Sequence, residues 1–196
     1  MKTSTHLIII AFTTLSYIII SACNPTNPVV PADLKDLQVS EESWKEVLEN
    51  DLHLLGHRNW ILVVDKAFPE QSSPGMKYIY VEEDLLPILK HVLHLMESST
   101  HVSPVIYSDK ELSYITQEQV PGIDKFKVDR EEILAGRKVN TLLHDDVFSL
   151  LDESSSLFKT LVIKTNTVLP YTSVFLQLDC SYWGPENEEL LRQRMN

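Results

Sequence analysis

Two patterns of apolar and polar positions alternate along the chain. Apolar residues recur at helical spacing across residues 40–56 and again across 82–96, whereas Trp60–Val64 is apolar without interruption. An unbroken apolar run of this length predicts a strand that is covered on both faces, as in a parallel sheet. Strands that alternate with helices predict an α/β fold, a single domain with a mostly parallel sheet flanked by helices. The other main strands are predicted at residues 77–81, 102–107, 157–164 and 174–179.

The remaining segments give shorter signals. Residues 109–119 are expected to be helical up to the break at Pro121-Gly122, and residues 126–128 are expected to form a short strand. Asp129 is then expected to cap a helix that ends at Gly136. The polar tail, residues 186–196, is predicted to be a short helix.

The charge of the chain limits its partners. The formal net charge is −11, and 43% of the residues are hydrophobic, which is enough for a sizeable core. An acidic chain without a basic face is a poor ligand for nucleic acid or for anionic lipid. No nucleic-acid partner is therefore expected. The acidic residues are spread along the chain, as on a solvated surface.

The first residues resemble a bacterial lipoprotein signal. Residues 1–22 contain an apolar run, and Ile20-Ser21-Ala22-Cys23 is similar to the lipobox, in which the cysteine is lipidated. Residues 23–39 would then form a lipidated tether and residues 40–196 the folded domain. A generic secretory signal or an ordinary apolar N-terminus is the alternative. The lipobox interpretation places the protein in the bacterial cell envelope, with the lipid anchor as its membrane contact.

Four polar residues stand where a ligand could reach them. His57 follows a glycine ahead of the apolar strand, and Asp65 follows that strand, where ligands gather in open α/β sheets. His144 precedes two aspartates at the start of a predicted helix, and Tyr171 lies between the last two strands. Taken singly, each has a structural alternative: a capping aspartate, a surface histidine or a half-buried tyrosine.

Taken together, these residues lie in motifs that resemble a known family. Leu55-Gly56-His57, the apolar strand, Asp65 and Pro69 are similar to the opening of the D-ribose pyranase and L-fucose mutarotase family (RbsD/FucU). Residues 158–178, which include Pro170-Tyr171-Thr172-Ser173, resemble the closing hairpin of that family. Residues 141–148 resemble its histidine ahead of a helix with an aromatic residue. The resemblance covers the chain from about Ser43 to Asp179.

The resemblance implies a cofactor-free isomerase that acts on a free, ribose- or fucose-like monosaccharide. Its catalytic histidine matches His57, and its sugar-binding positions match Asp65, His144, Tyr171 and Ser173. A histidine, with an unperturbed pKa of about 6.5, can take and return a proton near neutral pH. The resemblance also implies a homo-oligomeric ring in which neighbouring chains complete each other's sites. It implies no cofactor and no metal.

Several positions depart from the family pattern. Asn59 replaces an acidic residue, Ser173 replaces an asparagine, and Lys66 replaces a small residue. Asn166 and Thr167 replace a glycine and a glutamate, and residues 123–139 form an insertion that could alter the assembly. These departures leave open a rival hypothesis, a carbohydrate-binding envelope lipoprotein without catalysis. A purely structural envelope lipoprotein is a third.

Two further observations bear on the chemistry. His91, His94 and His101 include an H-x-x-H pair that could bind a metal, but no acidic or cysteine ligand is placed with them. Nucleotide-binding and serine-hydrolase motifs are absent from the sequence.

An extended run from His57 to Asp65 would span about 26 Å, too far for one sugar. Either the turn at residues 56–59 folds back over the sheet, or the two residues serve sites through different subunits.

Overall fold

The computed structural model describes residues 41–195 of the chain, with side chains from Trp44 onward. The predicted signal (1–22), the lipidation site Cys23 and the tether (23–39) lie outside the described residues. Within the described part, no helix is both long enough and apolar enough to cross a bilayer.

The described residues form five α-helices and six strands. The helices are α1 (Glu41–Leu52), α2 (Leu85–Glu97), α3 (Ile123–Leu134), α4 (His144–Ser155) and α5 (Pro185–Met195). The strands are β1 (Trp60–Val64), β2 (Met76–Tyr80), β3 (Val102–Asp109), β4 (Val139–Leu142), β5 (Thr160–Lys164) and β6 (Val174–Cys180). The strands form one sheet in the order β2-β5-β1-β6-β3-β4.

The predicted α/β architecture is confirmed by the strand directions. β1 runs parallel to β5, β5 parallel to β2, and β3 parallel to β4. Of the six described strands, only β6 runs the other way, antiparallel to both β1 and β3. The sheet is therefore mostly parallel. We call the end at which β1 to β5 finish the carboxyl edge, and the opposite end the amino edge.

β1 lies inside the sheet and is buried on both faces, as its unbroken apolar sequence predicts. Ile61 and Val63 belong to a core with α1 and α2 on one face of the sheet, while Trp60, Leu62 and Val64 join Phe68 and α4 residues on the other. Burying each such side chain stabilises the fold by roughly 1.5–3 kcal/mol. This rigid strand fixes the positions of the residues that flank it.

Three local predictions were wrong. β3 continues through Asp109, because its last residues pair with β4, a strand that was not predicted. A short 3₁₀ helix, Lys110–Tyr114, replaces the expected helix at 109–119. Residues 126–128 lie inside α3 rather than in a strand, since Ile123 and Phe126 are three residues apart and both turn into the core.

Candidate functional site

Polar residues from distant parts of the chain meet at the carboxyl edge. Asp65 follows β1, Asp109 ends β3, His144 begins α4 directly after β4, and Ser173 precedes β6. Each position is fixed by a strand end, because the neighbouring strands are hydrogen-bonded in register. Ligands of open α/β sheets bind at this edge. Of the sequence-predicted site residues, the structure gathers Asp65, His144, Tyr171 and Ser173 here.

Asp65 and Ser173 are joined by two reciprocal hydrogen bonds. The Ser173 hydroxyl donates to Asp65 Oδ2 at 2.9 Å and accepts from the Asp65 backbone N–H at 3.1 Å. Asp65 Oδ1 accepts from the Ala67 backbone N–H at 2.9 Å. Ser173 is itself buried, with 1% of its surface exposed. The Ser173 hydroxyl therefore holds the Asp65 carboxylate in position. The carboxylate oxygens keep spare lone pairs for a ligand.

His144 is held from both its backbone and its ring. Its backbone N–H donates to the Glu111 carboxylate at 3.1 and 3.2 Å, which places an anion at the N-terminus of α4. Its Nδ1 lies 3.1 Å from Oδ1 of Asp109. Asp109 is 1% exposed. Burial raises the pKa of Asp109, while the hydrogen bond to His144 acts in the opposite direction.

Aromatic rings enclose the His144 imidazole. The ring of Tyr171 meets it edge-on with centroids 5.2 Å apart, and Phe148, one helical turn along α4, meets it at 4.8 Å. Tyr171 has a φ of 56°, in the left-handed region that a tyrosine seldom adopts. Such backbone strain costs of the order of 1–3 kcal/mol and tends to occur at functional sites.

His57 lies at the other end of β1, at the amino edge. Its Nδ1 is 2.8 Å from Oδ1 of Asp179, which is near the end of β6, and the imidazole is 58% exposed. The turn does not fold back over the sheet, because the Arg58 N–H donates to Leu178 O at 2.9 Å. The five residues of β1 separate His57 from Asp65 by roughly 16 Å at least. Within one chain the structure does not bring His57 to the other predicted site residues.

The residues at which this chain departs from the family pattern make hydrogen bonds of their own. Asn59 accepts from the Gly56 N–H at 2.7 Å and donates to Lys159 O at 3.1 Å, so it closes the turn before β1. The carboxylate that pairs with the His57 ring is that of Asp179, near the end of β6. Lys66 donates to the side chain of Asn166, which joins two of the departures to each other.

Thr167 completes the start of α2. Its hydroxyl accepts from the Leu85 N–H at 2.8 Å, the first helical N–H of α2. Asp84, the residue in the N-cap position, makes no side-chain capping bond. A capping oxygen supplied from the loop after β5 therefore fixes α2 against the carboxyl edge.

The three histidines of the alternative metal hypothesis do not converge. The His91 ring packs against Trp44 with centroids 5.2 Å apart, while the His101 ring contacts the carbonyls of Leu52 and Leu55 at 3.1 Å. His94 is exposed on α2. Among residues 41–195, no group of three or more histidine, cysteine, aspartate or glutamate side chains is arranged to hold a metal ion.

Asp109 and Asp179 are the two carboxylates that the sequence did not single out. Each pairs with one of the predicted histidines. Asp109 ends β3, a strand of mixed polarity, and the sequence assigned it to the start of the expected helix at 109–119. Asp179 could be found only from the antiparallel pairing of β6, which carries it to the amino edge.

The described chain is a mixed α/β protein with a polar cluster at the carboxyl edge of its sheet, formed by Asp65, Asp109, His144, Tyr171 and Ser173. No protein-family model matches the chain, and no curated protein matches it. Solved structures of the family that the end motifs resemble are similar to it. Bacillus subtilis RbsD complexed with D-ribose is 20% identical and covers 68% of this chain and 91% of its own, with a TM-score of 0.47.

Two further solved structures are similar to this chain. The Streptococcus pneumoniae fucose mutarotase in complex with L-fucose is 16% identical over 72% of this chain and 93% of its own, with a TM-score of 0.48. FucU from Bifidobacterium longum is 17% identical over 68% of this chain and 94% of its own, with a TM-score of 0.44.

Proposed function

We propose that this protein is a cofactor-free isomerase that interconverts the anomers or ring forms of a free monosaccharide, as a mutarotase or pyranase does. The observation that carries the proposal is the convergence of Asp65, His144 and Tyr171 at the carboxyl edge. A carboxylate, an imidazole and a phenol offer the mixture of donors and acceptors that several sugar hydroxyls require. The same residues are those that the motif resemblance assigns to sugar binding.

The chemistry requires two proton transfers and no cofactor. A base takes the proton of the anomeric hydroxyl, the bond from the anomeric carbon to the ring oxygen breaks, and an acid protonates the ring oxygen. The open aldehyde then closes through a hydroxyl on its other face or at another ring size. In this proposal His57 is one proton-transfer residue, and Asp65, Tyr171 and Ser173 orient the sugar, Ser173 by holding Asp65.

A site shared between two chains would bring His57 of one chain to the carboxyl-edge cluster of the other. In the proposed homo-oligomer, His57 of one copy reaches the carboxyl edge of the next. Exposed apolar side chains at both ends of the sheet support such contacts. Leu54, close to His57 in the chain, is 85% exposed, and Val168, in the loop after β5, is 79% exposed. A contact between the two ends would remove both side chains from water.

The rival hypothesis, carbohydrate binding without catalysis, has one observation in its favour. His57 and the cluster lie at opposite edges of the same chain. If copies do not associate in the proposed way, the cluster can still bind a sugar but lacks His57.

We further propose that the protein acts in the bacterial envelope, on the support of the lipobox-like residues 20–23.

Saturation-transfer NMR between sugar anomers tests the proposal. D-ribose, L-fucose and related free sugars are each incubated with the protein, and the exchange rate is compared with that in buffer. The wild type is expected to accelerate the exchange of at least one sugar, and Asp65→Asn is expected to abolish this. Asp124→Asn, on the exposed side of α3, is the matched control. Sugar binding by calorimetry without faster exchange would favour the rival hypothesis.

A further inference from the structure

The pair formed by His144 and Asp109 has the geometry of a proton-transfer dyad. Asp109 is buried at the end of β3, its Oδ1 faces His144 Nδ1 at 3.1 Å, and its Oδ2 is buried without a partner among the described residues. The His144 side chain is 35% exposed. The dyad therefore joins a buried carboxylate to an imidazole that is partly open to solvent.

This arrangement selects one tautomer of the imidazole. A carboxylate only accepts hydrogen bonds, so the proton of a neutral His144 ring lies on Nδ1, where it is donated to Asp109. Nε2 then carries the free lone pair, and no hydrogen bond to Nε2 occurs within the described residues. Tyr171 and Phe148, packed edge-on against the ring, restrict its rotation.

We infer that His144 is a catalytic base as well as a sugar ligand, and that Asp109 is its positioning residue. This inference rests on the proposed function. In ring opening, His144 Nε2 takes the anomeric hydroxyl proton, and the electron pair of the breaking carbon–oxygen bond passes to the ring oxygen. That oxygen takes its proton from the imidazolium of His57 on a neighbouring copy. Closure reverses both transfers, so each histidine returns to its starting state.

The charges around the dyad suit this role. When His144 accepts a proton, the imidazolium is stabilised by Asp109 at Nδ1, and the Glu111 carboxylate lies at the backbone N–H of the same residue. The Asp65 carboxylate, directly after β1, repels the Asp109 carboxylate, whereas the largely buried Arg130 guanidinium on α3 attracts it. Asp145 and Asp146 follow on α4, and Tyr171 faces the ring from the loop before β6.

The test combines a tautomer measurement with kinetics on the full-length protein. Long-range ¹H–¹⁵N NMR of the histidine rings is expected to report Nδ1–H for neutral His144 in the wild type. Asp109→Asn is expected to lose this preference, because an amide can also donate to Nδ1. Its sugar-exchange rate should fall by roughly 10²-fold, the scale of general acid–base catalysis. Asp145→Asn, an exposed carboxylate beside the dyad, should leave both readouts unchanged.

The outcomes separate this inference from the proposed function. An Nε2–H tautomer in the wild type, or an Asp109→Asn variant with unchanged tautomer and rate, would overturn the inference. Asp109→Ser, which also removes the carboxylate, replaces Asp109→Asn if that variant does not fold. If the wild type accelerates no sugar exchange, the proposed function has failed. The NMR measurement of the His144 tautomer alone then tests whether Asp109 positions His144.

Discussion

At the scale of single residues, the Asp109 carboxyl group destabilises the fold when it is ionised, because it is buried. Burial raises the pKa of its carboxyl group above the unfolded value of about 3.9. Between these two pKa values the folded state binds more protons than the unfolded state, so the free energy of unfolding falls as pH rises. The ionised carboxylate beside His144 is thus held at some expense to stability, as is common where a buried charge has a function.

Asp109→Asn is expected to remove this pH dependence. From about pH 4 upward through the raised pKa, the wild type should lose stability relative to the variant, because only the wild type must bury a charge. Denaturant unfolding at a series of pH values measures the difference. A wild type that gains stability relative to Asp109→Asn over this interval would contradict the assignment. Asp145→Asn serves as the exposed control.

Ser173 is expected to act through Asp65. Ser173→Ala removes the hydroxyl that donates to Asp65 Oδ2 and accepts from the Asp65 N–H. Leaving partly buried groups unpaired should lower the free energy of unfolding by about 1–3 kcal/mol. Ser103→Ala, an exposed serine on β3, should change it by less than about 0.5 kcal/mol. Equal effects of the two substitutions in denaturant unfolding would refute the supporting role of Ser173.

The sequence identified individual residues better than their partners. Asp65, His144, Tyr171 and Ser173 could be located because each lies in a short motif next to a strand or helix end. Asp109 and Asp179 could not, because each contacts a histidine that is remote in the chain, 35 and 122 residues away. Such pairings depend on strand order, which local patterns do not encode.

At the scale of elements, the start of β2 is packed too closely for any side chain at Gly75. Its N–H donates to Ser155 O and its carbonyl accepts from the Thr160 N–H, both at 3.0 Å, so it joins β2 to the end of α4 and to β5. A Cβ atom at this position would collide with the backbone carbonyl oxygens of Phe158 and Ser155.

Gly75→Ala is therefore expected to destabilise the fold by roughly 1–3 kcal/mol or more, because backbone atoms must move. The matched control is Gly184→Ala, since a Cβ atom there would meet nothing within 4 Å. Thermal unfolding of both variants measures the effect. An unchanged melting temperature for Gly75→Ala would show that the α4–β5 connection tolerates displacement.

Strongly patterned elements were predicted well, and elements set by tertiary pairing were not. The uniform apolar sequence of β1 is typical of a buried strand, and the apolar stripe of α2 is typical of a helix packed on a sheet. β4 is a short strand of mixed polarity that exists because β3 extends far enough to pair with it. That extension also displaced the helix expected at 109–119.

At the scale of the whole molecule, the two histidines proposed to transfer protons lie at opposite edges of one sheet. His57 is held by Asp179 at the amino edge, and His144 by Asp109 at the carboxyl edge. A groove of about 650 Å³ between α2 and α3 touches the carboxyl-edge region at Thr167 but contains neither histidine. The proposed site, with both histidines, would therefore need two copies of the chain.

Mixing two inactive variants tests this sharing of sites. His57→Ala and His144→Ala are each expected to lose catalysis of sugar exchange. When they are unfolded and refolded together, random assortment should give about one quarter of the sites both histidines. The double variant His57→Ala/His144→Ala, refolded alone, is the control. No recovery in the mixture, with the oligomer intact by light scattering, would contradict a site shared between copies.

The carboxyl edge is proposed to bind a monosaccharide. A ¹H–¹⁵N NMR titration of the isotope-labelled protein with D-ribose, and separately with L-fucose, tests it most directly. The largest shifts are expected at the backbone amides of Ala67, His144, Tyr171 and Thr172, with smaller shifts around His57. Saturable shifts confined to the groove between α2 and α3, at Lys90 and Lys125, or no shifts with any sugar tested, would contradict the claim.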